Sequence, residues 1–319
     1  MSQEAKIEVK KDTKKRIFEL DFLRGFCVLL MVIDHFMYDF AYFISNIFNF
    51  NPGGLNNPDW LNSLNKFSIN WWNWDVRIIA RFAVIFLFFL ISGICTRFSK
   101  NNLKRGLIIF GVGALLSLGF FAFSKIFDAN FYVFFGTISC FGFCILFYYL
   151  IDLVCLNLFK LKEKFFAVLC LILGIIFTVI GCTVFKFYNL QLVNSVTWDN
   201  LIYLIIGKYS FGVDYMGLFP YMGLFFIGAG LSTFIYANKK SVFSCLDGKM
   251  HTKPSIKDHN HFVYFLLLTL YYIYSPIYYL CIGISKAGKH SLWIYLFHQV
   301  VFCLIISIIM LSLGYKFAI

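Results

Sequence analysis

Apolar residues in this chain come in long unbroken runs separated by short polar or glycine-rich stretches, with little of the alternation of a strand or the one-sided stripe of a surface helix. A run of about 20 apolar residues is what an α-helix needs to cross the hydrocarbon core of a bilayer. Eight such runs predict eight spanning helices, at about 22–46, 77–97, 103–124, 132–156, 165–187, 216–237, 261–284 and 290–313. Residues 200–213 are apolar but short, and read as an outer-face or re-entrant piece. The predicted fold is therefore an all-α, polytopic membrane helix bundle. A basic tail over 1–16 precedes a single transmembrane domain over 17–319. The first apolar run is too long for a cleavable signal peptide and lacks a small-residue cleavage pattern, so it reads as the first span.

Composition agrees with lipid as the solvent: only 14% of residues are charged, against about a quarter in soluble domains. The net charge of +12 invites a nucleic-acid reading, but its distribution argues against one. Of 28 Lys and Arg, 19 fall in the terminal tails and alternate connections and six in the opposite connections. By the positive-inside rule this predicts cytoplasmic termini, consistent with an even number of crossings, in a multi-pass protein of the cytoplasmic membrane. The bilayer is the implied partner, its anionic lipids touching the tail, and nucleic acid is not. Nine of ten cysteines lie in apolar spans, where Cys behaves as a small hydrophobe, and no disulfide framework is expected.

Against this background the first span is unusual, because it carries Asp21, Arg24, Asp34, His35 and Asp39. At about 100° per residue, Arg24, His35 and Asp39 fall at about −60°, −40° and 0° relative to Asp21, on one narrow face. Asp34 points about 80° or more away from that stripe and is expected to hold a neighbouring helix. Ionisable groups in a bilayer normally line a protein interior or a watery cavity, which makes the stripe the leading candidate site. The last span contributes a second histidine. His298 lies about 13 Å below the outer end of its span and His35 about 16 Å above Arg24, so the two reach similar depth.

Other candidates are less sharply defined. Trp71-Trp72-Asn73-Trp74 reads as an interfacial anchor or as a platform for a sugar ring. Arg77 and Arg81 are neighbours on one helix face. Arg77 reads as snorkelling to the outer interface, whereas Arg81, about 6 Å deeper, either pairs with an acidic group or polarises a substrate. Asp214 stands at the outer mouth of a run broken by Pro220, as a helix cap or a substrate-side group. Asp128 sits in a short outer turn. His251, His259 and His261 lack zinc-like spacing, and no metal is expected.

These residues resemble a known family. Glu19-x-Asp21-x-x-Arg24-Gly25 leading to Asp34-His35, Arg77-x-x-x-Arg81 before Phe89-Leu-Ile-Ser-Gly93, Asp214-Tyr215 before Pro220, and Ser291-Leu-Trp-Ile-Tyr-Leu-Phe-His298-Gln299 are similar, over about 16–310, to the heparan-alpha-glucosaminide N-acetyltransferase catalytic domain and its compact bacterial relatives. The arginine-glycine start, the histidine one helix length on and the Tyr-Leu-x-His near the end resemble the wider group of membrane acyltransferases that acetylate cell-surface sugars, from which His35 takes its role. The resemblance implies transfer of an acetyl group from cytoplasmic acetyl-CoA, as co-substrate, to an amine or hydroxyl of a sugar or glycan on the far side.

Such chemistry suits the residues. Histidine titrates near working pH and can deprotonate the acceptor. Asp39, one turn beyond His35, is expected to orient its ring. Arg24 suits the phosphates of CoA, with Asp21 holding it in place. Arg81 or His298 is expected to stabilise the developing oxyanion. Arg77, Asp214 and Trp72 are expected on the substrate side. A second copy of the chain is a further partner left open. Two other classes fit a charged midplane: a multi-pass transporter, although no internal repeat is visible, and a non-catalytic membrane protein whose stripe is a structural ion-pair network.

Overall fold

The computed structural model describes residues 16–127, 131–237, 241 and 261–318. The basic tail before Arg16, Asp128, and the loop histidines His251 and His259 lie outside the described residues. Each apolar run has become a helix. They are α1 (Phe18–Tyr38), followed by a π-helical turn (Asp39–Phe43) and α2 (Ile44–Ile47), then α3 (Asp59–Trp72), α4 (Asp75–Thr96), α5 (Asn102–Ile126) and α6 (Thr137–Asp152) with a π-helical end (Leu153–Leu158). After them come α7 (Glu163–Thr183), α8 (Trp198–Ile206), α9 (Tyr221–Ile235), α10 (His261–Lys289) and α11 (Ser291–Ser312). Among the described residues six segments are long and apolar enough to cross a membrane: Phe18–Ile47, Asp75–Thr96, Asn102–Ile126, Thr137–Leu158, Glu163–Thr183 and Ser291–Ser312. The protein is a helical membrane protein.

The predicted span at 216–237 starts later than expected, at Tyr221, with Pro220 ahead of the helix rather than within its first turns. The residues before it are engaged elsewhere. Gly212 bridges Val133, Tyr215 bridges Gly136, and Met216 N–H donates to the Phe135 carbonyl at 2.8 Å. Backbone groups already paired this way are not available to a helical turn. A two-residue parallel pair, Gln191–Leu192 with Tyr209–Ser210, adds a small β element to an otherwise helical fold. The apolar piece at 200–213 contains α8, closed by Gly207 at φ +98°.

The chain divides into two compact units, Met1–Leu29 with Tyr236–Tyr295, and Leu30–Ile235 with Leu296–Ile319. In the first, the start of α1 meets the end of α10. A Cβ on Gly25 would lie 1.8 Å from the Ile284 carbonyl oxygen, and one on Gly288 would lie 1.7 Å from that of Asp21, so backbone packs directly on backbone. Ser241 hydroxyl donates to the Glu19 carboxylate on the same end of α1. Ser241 and Gly288 therefore both lie at the amino-terminal end of α1.

In the second unit, α9 packs between α4 and α7 around a core of Phe89, Phe141, Tyr148, Phe225 and Phe226, and α5 packs along α6. A second core joins Phe40, Phe43, Ile44 and Ile47 to Ile306 and Met310 of α11. Phe36 packs edge-on to Phe302 at 5.5 Å. Further along, Phe48 bridges Phe317, Asn49 N–H donates to the Lys316 carbonyl at 2.9 Å, and Ala318 N–H donates to that of Ile47 at 2.9 Å. The short pairing of 47–49 with 316–318 is antiparallel, but from Phe36–Phe302 to Phe48–Phe317 the contacts advance together along both segments, so this half of α11 runs parallel to the chain after Phe36. The tail at 315–318 consequently lies beside residues 47–49. Counting apolar runs locates the helical segments but not which helix ends meet.

Candidate active site

The centre of the second unit is a pair of histidines from opposite ends of the sequence. His35, on α1, and His298, two turns into α11, have ring centroids 4.9 Å apart with planes 20° from parallel, and His35 Nδ1 lies 2.6 Å from His298 Nε2. His298 is buried and His35 half-buried. One of the two facing nitrogens donates and the other accepts. For two neutral rings, whichever way the bond points, the pair then carries one further lone pair on one ring and one further N–H on the other. A base and a hydrogen-bond donor held as a unit is a useful arrangement for moving protons at a carbonyl.

The expected bond from Asp39 to His35 is not made. Asp39 is fully buried, and its Oδ1 accepts from Gln299 Nε2 at 2.7 Å, while its Oδ2 has no hydrogen-bond partner. Gln299, next to His298, was not singled out by sequence reasoning. A lone carboxamide in an apolar span was the available signal, because such a group must find a partner. His35 and Asp39 thus do share a face, and what they meet there is α11: one imidazole and one carboxamide, in consecutive rungs.

Asp34, pointing elsewhere, does hold a neighbouring helix. Its carboxylate takes a two-pronged contact from Arg77 of α4, Nε to Oδ1 at 2.7 Å and Nη2 to Oδ2 at 2.6 Å, plus Trp71 Nε1 at 3.2 Å. The Arg77 guanidinium stacks 3.6 Å from the centroid of Trp72, whose ring also meets Tyr38 at 5.0 Å. The expectation that Arg77 snorkels is therefore corrected. It is buried because a carboxylate and an indole face satisfy it, the geometry for which arginine is suited. One face of Trp72 is correspondingly covered by a cation.

Arg81, one turn further along α4, is the exposed member of the two. It lines a cavity of about 140 Å³ with Phe82, Phe187, Tyr215, Gly217 and Tyr221, and its charge lies within electrostatic range of His35. The Tyr215 hydroxyl is tied to the Leu204 carbonyl, which fixes that wall. Asp214, at φ +46°, accepts from Thr137 Oγ1 at 3.4 Å. It sits at the amino-terminal turn of α6 rather than capping the helix that follows it in sequence, a placement that opposes the positive end of the α6 dipole.

Asp21 and Arg24 belong to the first unit and make a looser arrangement. Arg24 Nη1 lies 3.8 Å from Asp21 Oδ1, and Arg16 Nη1 lies 3.9 Å from Asp21 Oδ2. Lys289 also acts electrostatically on this carboxylate. Among the described residues no group of three or more His, Cys, Asp or Glu is arranged to hold a metal.

A family model described as "Heparan-alpha-glucosaminide N-acetyltransferase, catalytic" matches residues 16–54 and 59–268. No curated protein and no solved structure matches the chain. The matched stretch contains Asp21, Arg24, His35, Asp39, Arg77, Arg81 and Asp214 and stops before α11, so His298 and Gln299 rest on the contacts they make with α1.

Proposed function

Because the chain belongs to the heparan-alpha-glucosaminide N-acetyltransferase catalytic family, we propose that it is a membrane-embedded acyltransferase, moving an acetyl group from cytoplasmic acetyl-CoA to an amine or hydroxyl of a sugar or glycan at the opposite face. The observation that carries this reading is the part-buried His35–His298 pair. Its lone pair takes a proton from the acceptor as the acceptor oxygen or nitrogen attacks the thioester carbonyl. The N–H of the pair, or Arg81, whose charge acts on His35, stabilises the oxyanion. When the tetrahedral adduct collapses, the carbon–sulfur bond breaks and the imidazole returns its proton to the departing thiolate. Asp39 and Gln299 keep α1 and α11 in register beside the pair.

The cytoplasmic face is assigned to the amino-terminal end of α1. Lys286 and Lys289, at the end of α10 beside Asp21, then join the cytoplasmic cations, which enlarges the excess of positive charge inside that the positive-inside rule favours.

The test uses the full-length protein in lipid nanodiscs with labelled acetyl-CoA and glucosamine as the probe acceptor. We expect acetylated sugar and free CoA in equal amounts, and a loss of about 10²–10⁴-fold in His35→Ala, the range for removal of a general base. Normal turnover in a well-folded His35→Ala protein would overturn the assignment. Uptake of sugar by proteoliposomes without acetyl-CoA would instead favour the transporter alternative.

A further inference from the structure

The α10–α11 turn meets the start of α1. Gly25 and Gly288 bring the two backbones into direct contact, with Gly288 N within 2.8 Å of where a Gly25 Cβ would stand. No side chain separates the segments, so the position of the next residue, Lys289, relative to Asp21 is set by backbone packing rather than by a flexible side chain. Lys286 lies one turn earlier, on the same side of α10.

The charges gathered there do not close on one another. Arg16, Arg24 and Lys289 all act on Asp21, so even with Glu19 two residues away on the same end of α1 the three cations outnumber the carboxylates. Both arginine contacts are longer than hydrogen bonds, and Asp21 Oδ2, buried with its residue only 5% exposed, has no hydrogen-bond partner. The side chains of Arg24 and Arg16 are 20% and 61% exposed. Arg77, by contrast, is 6% exposed and spends its guanidinium on Asp34 at 2.6 Å. Cations held near a single weak partner and open to solvent are available to an anion. A phosphate or diphosphate, with its excess negative charge and several acceptor oxygens, suits two guanidinium forks and one ammonium.

We propose that Lys289, together with Arg24 and Arg16, forms a cradle for the phosphate groups of the acyl donor at the amino-terminal end of α1. Asp21 keeps the two arginines apart and oriented until the phosphates arrive. The cradle rests on the reading of CoA as the donor carrier, and it adds a residue that the linear order of the spans had assigned to the opposite face.

Isothermal titration of the full-length protein in nanodiscs of neutral lipid tests it with three probes: CoA, pantetheine and inorganic pyrophosphate. We expect Lys289→Gln to weaken CoA and pyrophosphate in parallel by about tenfold or more, the scale of one hydrogen bond to a charged group, and to leave pantetheine unchanged. Lys289→Arg should retain most of the affinity. Unaltered CoA and pyrophosphate binding in Lys289→Gln, an equal loss for pantetheine, or no pyrophosphate binding by the unsubstituted protein would each overturn the cradle. Binding of pyrophosphate but not of CoA would leave the cradle standing and count against the CoA-dependent reading, whereas CoA binding indifferent to Lys289 would do the reverse.

Discussion

The two ends of α1 handle buried charge in opposite ways. Towards the carboxyl end Asp34, His35 and Asp39 each have a close partner on another helix, Arg77 at 2.6 Å, His298 at 2.6 Å and Gln299 at 2.7 Å, with Asp39 Oδ2 the one carboxylate oxygen left over. Towards the amino end the contacts open to 3.8 and 3.9 Å and the cations outnumber the carboxylate they face. Deep in a bilayer an ion without a partner is too costly to keep, so pairing there is tight. Near the interface water lowers that cost, and charges can stand ready for a ligand. The difference separates a region built to hold geometry from one built to exchange partners.

If that contrast is right, the largest effect on stability comes from Asp34→Ala, which strands Arg77 in the protein. A loss of about 3–5 kcal/mol is expected in reversible unfolding in detergent, and replacing both partners by apolar residues should restore much of it. A loss below about 1 kcal/mol would make the pair an ordinary exposed one. Next comes Gly288→Val, which forces a side chain between the Gly288 and Asp21 backbones. It should destabilise by about 1–3 kcal/mol and weaken CoA binding while leaving the tight pairs intact, which retained Trp fluorescence near Trp71 and Trp72 would report. CoA binding unchanged in this variant would break the link between backbone contact and donor end.

Gln299→Ala is milder. Losing one hydrogen bond to a charged group predicts about a tenfold fall in kcat, with the acetyl-CoA KM unchanged, and Gln299→Asn or Gln299→Glu separates positioning from bulk. An altered KM with unchanged kcat would remove Gln299 from the register of α1 and α11. The topology carries no energetic cost. A cysteine placed at residue 286 should react with a membrane-impermeant maleimide from the same face as one placed at residue 241. Labelling of the two from opposite faces would break the link between the end of α10 and the start of α1.

Much of the site could be read from spacing alone. Helical angle separated Asp34 from the stripe and assigned it to a neighbouring helix, and residue depth matched His35 to His298 before any contact was visible. Those inferences worked because both depend on the regular geometry of one helix within one slab of lipid. Arg77 and Arg81 could not be ranked the same way. Burial of the shallower arginine follows from where Trp72 and Asp34 happen to lie, and these come from other turns of the chain.

The sequence by itself determined that this is a helical membrane protein, where its apolar segments run, to which family it belongs, and which two histidines to watch. Only the tertiary structure decided that Asp39 turns to Gln299 instead of His35, that Arg77 is closed and Arg81 open, and that Lys289 returns to the start of α1. Hydrophobicity and period are local properties and survive in one dimension. Partner choice, and the face at which a helix ends, depend on which backbones can approach each other, and at Gly25 and Gly288 that approach reverses the side assigned by counting.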